Sequence, residues 1–239
     1  MGDRTLTASE QPEADQIRQL FDRIAPQYDQ INQEMSLGLH RVWKQMAVRW
    51  SGASAGMRCL DVCSGSGDLA FLLARQVGPT GEVVGADFST EQLAIAATRK
   101  PHLQKRIRWV EADALHLPFD SEQFDAATMA YGLRNLTDIR QGLSELYRVL
   151  KPGATAAVLD FHRPTNPLIV QFQKWYLSAI VVPTAEQFGL SEEYAYISPS
   201  VDRFPPGPEQ VALATAVGFS HAVHYPIAGG MMGVLVATR

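Results

Sequence analysis

The chain has 239 residues, 46% of them hydrophobic, with 21 basic against 25 acidic side chains. That composition excludes general disorder and is enough to bury a sizeable core. A formal charge of -4 supplies no field for a nucleic-acid backbone, which needs clustered Lys and Arg, so nucleic acid is not an expected partner. At about 150 residues per domain the length corresponds to roughly 1.6 domains, read here as one domain with an appendage, because α/β folds run to this size undivided. The polar N-terminus, MGDRTLTASEQPEADQ, has no apolar signal core and no Ser or Thr where a myristoylation site needs one. The expectation is a cytoplasmic protein, peripheral to a membrane at most. Cys59 and Cys63 have no second Cys or His pair at zinc spacing, so reduced thiols and no metal are expected.

Residues 59–63 read as a buried strand, after which Leu69, Leu72, Leu73 and Val77 follow at helical spacing. Residues 82–87 form the next strand, and Ser89-Thr90-Glu91-Gln92 is a capping box that starts a helix. Strands are expected over residues 106–111, 124–129 and 154–160, the last preceded by a helix carrying Ile139, Leu143, Leu146, Tyr147 and Leu150 that stops at Lys151-Pro152-Gly153. This alternation predicts a parallel sheet wrapped by helices on both faces. Near the C-terminus, runs over residues 220–225 and 231–238 are separated only by residues 226–230, too short for a crossover helix. A hairpin follows, and with it one antiparallel strand. Residues 1–55, with two expected helices, and residues 162–206, rich in Tyr, Phe and Pro, are read as a lid. Residues 56–161 are then a cofactor-binding half, and residues 207–239 a helix and hairpin. The apolar stretch 168–183 contains Gln171, Gln173 and Lys174 and is shorter than the about 20 residues a membrane span needs.

The segment Leu60-Asp61-Val62-Cys63-Ser64-Gly65-Ser66-Gly67-Asp68 joins a strand to a helix, with Gly65 and Gly67 letting a ligand approach the backbone. Gly65 to Ala70 also satisfies the loose G-x-G-x-x-A dinucleotide pattern, so the glycines alone do not separate NAD from S-adenosylmethionine. Charge separates them better. A pyrophosphate at this helix N-terminus would meet Asp61 and Asp68, whereas a ligand carrying a sulfonium and an ammonium would be tolerated or attracted. Asp87 lies 20 residues beyond Gly67, where an acid can accept both ribose hydroxyls, a feature shared with NAD sites. Asp113-Ala114 would place a carboxylate by the adenine amino group, and Phe88 would offer a ring or backbone wall. Asp113 equally fits a turn, Asp68 a first-turn helix acid, and Asp61 a buried acid bonded to its loop. Taken together the spacing favours a class I S-adenosylmethionine-dependent methyltransferase.

Three further motifs stand in order. They are Leu20-Phe21-Asp22-Arg23-Ile24-Ala25-Pro26-Gln27-Tyr28-Asp29 continuing through Asn32 to Met35-Ser36-Leu37-Gly38-Leu39-His40-Arg41-Val42-Trp43-Lys44; Tyr131-Gly132-Leu133-Arg134-Asn135-Leu136-Thr137; and Tyr194-Ala195-Tyr196-Ile197-Ser198-Pro199-Ser200-Val201-Asp202-Arg203-Phe204-Pro205. The chain from about residue 16 to 239 resembles the ubiquinone and menaquinone biosynthesis C-methyltransferases. The resemblance implies a seven-stranded, mostly parallel sheet with one antiparallel strand and a helical lid, S-adenosyl-L-methionine as cofactor, and methylation of a prenylated hydroquinone ring carbon. By position it implies cofactor contacts at Ser66, Asp87 and Asp113-Ala114. At Ala130 the family's serine is absent, leaving only backbone contact. Family members often carry Gly-Gly-Thr-Gly-Asp, Glu-Phe-Ser and Ala-Leu-His-Arg-Gly where this chain has Ser64-Gly65-Ser66-Gly67-Asp68, Asp160-Phe161-His162 and Gly233-Val234-Leu235-Val236-Ala237. These variants resemble the cyanobacterial and plastid branch, which implies 2-phytyl-1,4-naphthoquinol as acceptor and phylloquinone as the end product. Alternatives are a demethylmenaquinol or ubiquinone-pathway acceptor, another small molecule, and a non-catalytic S-adenosylmethionine-binding subunit of a quinone-pathway complex.

A ring carbon becomes nucleophilic when a neighbouring phenol ionises, and the phenol titrates near 10, so a base or a donor to the phenolate helps. The residues proposed for that work are His40, Asp29 and Tyr28, with Arg134 and Asn135 holding a ring oxygen. His40 equally fits a cap or a packing role, Asp29 a pair with Arg41, and Arg134 a tie between loop and lid. His162 is a weaker base candidate. Tyr131, Tyr194, Tyr196 and Phe204 would line a substrate channel, unless they are lid packing. A phytyl tail implies contact with a membrane surface. Phe172, Trp175, Tyr176 and Ile180 would lie near one face with Lys174 toward headgroups, and a buried helix or a homodimer surface is the rival reading.

Overall fold

The structure is a computed structural model that describes residues 14–25, 28–36 and 38–239. Seven strands form one sheet in the order β3-β2-β1-β4-β5-β7-β6. They are β1 (Arg58–Val62), β2 (Glu82–Asp87), β3 (Ile107–Glu111), β4 (Phe124–Ala130), β5 (Leu150–Phe161), β6 (His221–Ile227) and β7 (Met232–Thr238). Strands β1 to β5 are parallel, and β7 runs antiparallel to both β5 and β6. The chain leaves β1 outward to β2 and β3, then returns to β4 on the other side of β1. The carboxyl ends of β1 and β4 therefore flank a crevice where the winding reverses, the place where open α/β sheets bind ligands.

Among the described residues three helices precede the sheet, α1 (Ala14–Ile24), α2 (Tyr28–Met35) and α3 (Leu39–Trp50), one more than the two expected. Gly38, at φ +81, ends the path of α2 and opens α3, a left-handed step that favours glycine. Helices α4 (Asp68–Val77), α5 (Thr90–Thr98), the single turn α6 (Pro101–Gln104) and α7 (Ile139–Val149) wrap the sheet. Alternate residues of the strands point to opposite faces: Leu60 and Val84 enter one buried cluster with Met129 and Leu143, while Cys59 and Val83 enter another with Leu69 and Phe71. Strand β5 begins at Leu150 rather than at the predicted Ala154, because a register shift against β4 between Phe124 and Ala126 accommodates Pro152 and Gly153. Half of the predicted capping box forms. Ser89 Oγ accepts from the Gln92 amide at 3.1 Å, but the Ser89 amide donates to Asp87 Oδ1 at 2.9 Å.

Beyond β5, α8 (Pro167–Tyr176) passes through a π turn (Leu177–Val181) into α9 (Val182–Glu186). Pro183 cannot donate to the carbonyl four residues back, and the wider turn gives its ring room. Short helices α10 (Ser191–Ala195) and α11 (Ile197–Arg203) follow, then α12 (Gly207–Ala216), which packs near the hairpin. Ile17, Leu20, Ile24 and Ile31 from the N-terminal helices share one buried cluster with Leu177, Val181, Leu190 and Tyr194. The two segments outside the sheet thus pack on each other. No described helix is long and apolar enough to cross a membrane.

His162, just after β5, packs its ring against His224 of β6, with centroids 4.8 Å apart. Gly207 and Gly233 make room for this pair, since a Cβ at either would fall within 2.5 Å of the His224 ring. Burial, then the neighbouring His162, pushes His224 down to about 4, and burial lowers His162 as well. A histidine near 6.5 in the unfolded chain and near about 4 in the folded one contributes stability that is fully present above about 6.5 and is lost progressively as pH falls from there to the folded value. Wild type should therefore melt above His224→Gln by a margin that shrinks between pH 7.5 and pH 5 in thermal melts followed by circular dichroism. A margin independent of pH would contradict the assignment.

Candidate active site

At the carboxyl ends of β1, β2 and β4 lies a cavity of about 970 Å³, with the glycine loop as one wall. Gly65 and Gly67 take φ +52 and +91, and a Cβ on Gly67 would fall 2.6 Å from the Trp109 ring, so only glycine fits there. Asp87 is buried and ties the loop together: Oδ2 accepts from the Gly65 amide at 2.7 Å, Oδ1 from the Ser89 amide. Burial pushes its carboxyl up to about 6, with the Asp22 charge adding to the rise and the amide bonds opposing it. The Ser89 hydroxyl donates to Asp22, which fastens α1 beside Asp87.

Asp61 is wholly buried and pushed up to about 7 by burial, against the pull of the Thr128 hydroxyl at 2.8 Å and the nearby Lys44 charge. Its Oδ2 has no hydrogen-bond partner among the described residues. A buried carboxylate oxygen without a donor is costly, and at the wall of a cavity it fits a cationic ligand. Asp68 is different from the sequence-based expectation. Lys44 Nζ lies 2.8 Å from one of its oxygens and Arg99 Nη2 2.9 Å from the other, and despite burial these cations hold its carboxyl down at about 2. Asp68 therefore offers no open negative charge to a ligand. The Ser66 hydroxyl is bonded to Arg99 Nη1 at 2.7 Å. Phe88, Ala114 and Ala130 line the cavity, as does Asp113, whose Oδ1 caps the Leu115 amide at 2.9 Å and so also makes a turn.

A second cavity, of about 940 Å³, opens beneath the lid, with walls drawn from α1, α2, α3, β5, α8, the π turn, α10, α11 and the start of β7. Leu20, Ile24, Met35, Trp43 and Leu177 make it apolar, and Tyr194 and Tyr196 line it. Tyr131 and Asn135 line both cavities. Tyr131 holds φ +60, a left-handed conformation uncommon for a bulky residue, and such strain concentrates at functional sites. Its carbonyl accepts from Arg134 Nη1 at 2.8 Å and Asn135 Nδ2 at 2.9 Å. Asn135 Oδ1 is left without a partner among the described residues. Arg134 lines the second cavity but is also buried in an ion pair with Asp160 at 2.7 Å. His40, on α3, lines it with its Nδ1 2.6 Å from the Ser36 hydroxyl.

Several expected residues fall elsewhere. Phe204 is 2% exposed in the sheet's main core and lines neither cavity, because the chain enters the sheet layer at the end of α11. His162 is buried against His224 and likewise lines neither. Tyr176 turns away from the outer face of α8: its hydroxyl donates to the Met35 carbonyl and its ring lines the second cavity. The side chains of Tyr28 and Asp29 lie outside the described residues. Lys44 was not singled out from the sequence. The available signal was its spacing, one turn after His40 on the same buried stripe of α3, an unusual place for a lysine.

Residues 8–239 match the ubiE/COQ5 methyltransferase family. A protein of Trichormus variabilis named 2-phytyl-1,4-naphtoquinone methyltransferase is 61% identical over 94% of this chain and 99% of its own length. A protein of the same name from Synechocystis is 58% identical, covering 96% of this chain and 97% of its own. The chloroplastic 2-phytyl-1,4-beta-naphthoquinone methyltransferase of Arabidopsis thaliana is 51% identical over 93% and 87%. Among solved structures, a SAM-dependent methyltransferase of Thermotoga maritima superposes with a TM-score of 0.64 at 18% identity, covering 92% of this chain and 98% of that one. This places the sheet order and its single antiparallel strand within the class I methyltransferase fold. With its cofactor cavity, acid-closed second strand and three ordered motifs, the chain belongs to the ubiE/COQ5 methyltransferase family and is an S-adenosylmethionine-dependent enzyme.

Proposed function

We propose that this enzyme methylates a ring carbon of 2-phytyl-1,4-naphthoquinol, giving phylloquinol. The observation that carries the reading is the meeting of an acidic cofactor cavity and an apolar lid cavity at Tyr131 and Asn135. The names of the relatives supply the acceptor. When bound, S-adenosylmethionine supplies an electrophilic methyl on a sulfonium, which the ring carbon takes as the thioether leaves and the ring proton is lost.

Asp87 already accepts the Gly65 and Ser89 amides, with the Phe88 amide as a third, yet a carboxylate has about four lone-pair sites and keeps room for a ribose hydroxyl. Gly65 and Ser66 would present backbone to the cofactor, the Ser66 hydroxyl accepting from Arg99. Gly67, expected at this contact, does not line the cavity, because its amide donates to the Ser64 carbonyl and its carbonyl accepts the Phe71 amide that starts α4. Phe88, Asp113 and Ala114 would wall the adenine, Ala130 would offer backbone, and Asp61 Oδ2 would take the ammonium. On the acceptor side, Asn135 Oδ1 is an acceptor without a donor. A quinol hydroxyl satisfies it and a quinone carbonyl does not, so the reduced ring is the form recognised. His40, bonded to Ser36, takes the phenolic proton, and the Arg134 charge steadies the ring oxygen. Tyr28 and Asp29 on α2 are held as further members of this group. Holding the two reactants in line supplies the larger share of the rate, about 7 to 11 kcal/mol where alignment is good.

A tail of about 20 carbons favours a bilayer by on the order of 15 kcal/mol, at roughly 0.8 kcal/mol per buried CH₂. Leu168, Phe172 and Trp175 recur at helical spacing on the outer side of α8 and are 74%, 48% and 54% exposed, with Ile180 beyond them. Lys174 is exposed in a pair with Asp202 at 3.6 Å. This face is proposed to rest on the membrane surface from which the acceptor enters, and a homodimer through the same face is the alternative. Flotation with liposomes should carry the enzyme upward and Phe172→Ser/Trp175→Ser should not rise. An enzyme that never floats, even with substrate in the bilayer, would sink the docking idea.

The test of the reaction is methyl transfer from labelled cofactor to demethylphylloquinone in detergent, with and without dithionite, beside a demethylmenaquinone. Label should appear only with reductant and favour the phytyl acceptor. No transfer to either, with cofactor binding intact, would overturn the acceptor. Asn135→Leu should lower kcat/KM for the quinol by about tenfold or more, the cost of a lost hydrogen bond at a buried group, a larger loss than the change in cofactor affinity read by calorimetry, since Asn135 lines both cavities. Because Asp61 is neutral below about 7 and Asp87 below about 6, cofactor affinity should rise between pH 6 and pH 8, and Asp61→Asn should bind weakly with a smaller rise, confined to the Asp87 range.

A further inference from the structure

Four carboxylates, Asp61, Asp68, Asp87 and Asp113, line the cofactor cavity, and among the described residues Lys44 is the sole cationic side chain that does. It reaches in from α3, outside the sheet, with 8% of its side chain exposed. Burying an ammonium is costly unless its charge is used. The Asp68 carboxylate does not by itself account for it. Arg99 already sits on the other Asp68 oxygen at 2.9 Å and holds the Ser66 carbonyl and hydroxyl as well. Two cations share that one carboxylate, and of the two it is Lys44 that faces the cavity, with its charge also felt by Asp61. One ammonium proton goes to Asp68 at 2.8 Å. The Tyr131 ring centroid, 5.7 Å from Nζ, receives the charge through its π face, and donors remain for an anion.

The cofactor has one anionic group, the α-carboxylate of its amino-acid end, beside an ammonium. Asp61 Oδ2, without a partner, suits the ammonium. We propose that Lys44 binds the α-carboxylate of S-adenosylmethionine, an assignment that rests on this cavity being the cofactor's. The contact also fixes α3, the helix that carries His40 and Trp43 into the acceptor cavity, so that binding the cofactor orders a wall of the acceptor site.

Calorimetry with S-adenosylhomocysteine and its decarboxylated analogue, which keeps the ammonium and lacks the carboxylate, tests this. Wild type should prefer the carboxylated ligand by about tenfold or more, as expected for a hydrogen bond between charged groups. Lys44→Met should bind the two ligands nearly equally. Lys44→Gln, which keeps a donor for Asp68, should lose the preference in the same way and serves if Lys44→Met does not fold. Variants that weaken both ligands by the same factor, preserving the preference, would show that Lys44 only latches α3 to Asp68 and would overturn the assignment. So would a wild type with no preference. Failure of wild type to bind either ligand would instead overturn the cofactor reading itself.

Discussion

Everything in this enzyme depends on the reversal of winding at β1. Because the chain first builds outward through β2 and β3 and then returns to β4, no crossover helix covers the carboxyl ends of β1 and β4. The glycine loop after β1 and the Tyr131 turn after β4 both empty into that gap. Cys63 and Tyr131, the residues directly after these strands, both take positive φ. Their strained turns bring backbone groups toward the crevice, and the sheet's buried hydrophobic layers hold them there.

The second theme is how carboxylates are treated inside that gap. Asp61 and Asp87 are buried enough that burial outweighs their hydrogen bonds and raises both carboxyls. Asp68, at the start of α4, is neutralised by two cations and kept ionised. The difference lies in the partners, not in the residue type. An acid left with an open oxygen is a site for a cation, whereas an acid saturated by Lys44 and Arg99 is scaffolding that passes positive charge to its neighbours.

The acceptor side is built from parts that are far apart in sequence. Residues 14–50 and 162–206 pack against each other through Ile31, Leu177, Val181 and Tyr194, and neither segment alone closes the apolar cavity. The Ser89–Asp22 bond and the Lys44–Asp68 pair tie this lid to the cofactor loop. Cofactor and acceptor sites are therefore joined mechanically as well as through the shared walls of Tyr131 and Asn135.

Local signals determined a great deal. Alternating runs and turn residues carried strand 82–87, strand 106–111 to within one residue, the hairpin and the parallel sheet, because period and turn chemistry act over a few residues. The glycine loop and Asp87 marked the cofactor, since close backbone approach and an acid at a strand end have local signatures, and the three ordered motifs marked the family. What the sequence could not carry was where partners meet. That Lys44 and Arg99 quench Asp68, that Asp160 holds Arg134, that Phe204 is core and that His162 stacks on His224 all depend on contacts between distant segments. Charge and burial are properties of neighbours in space, and only the tertiary structure chose those neighbours.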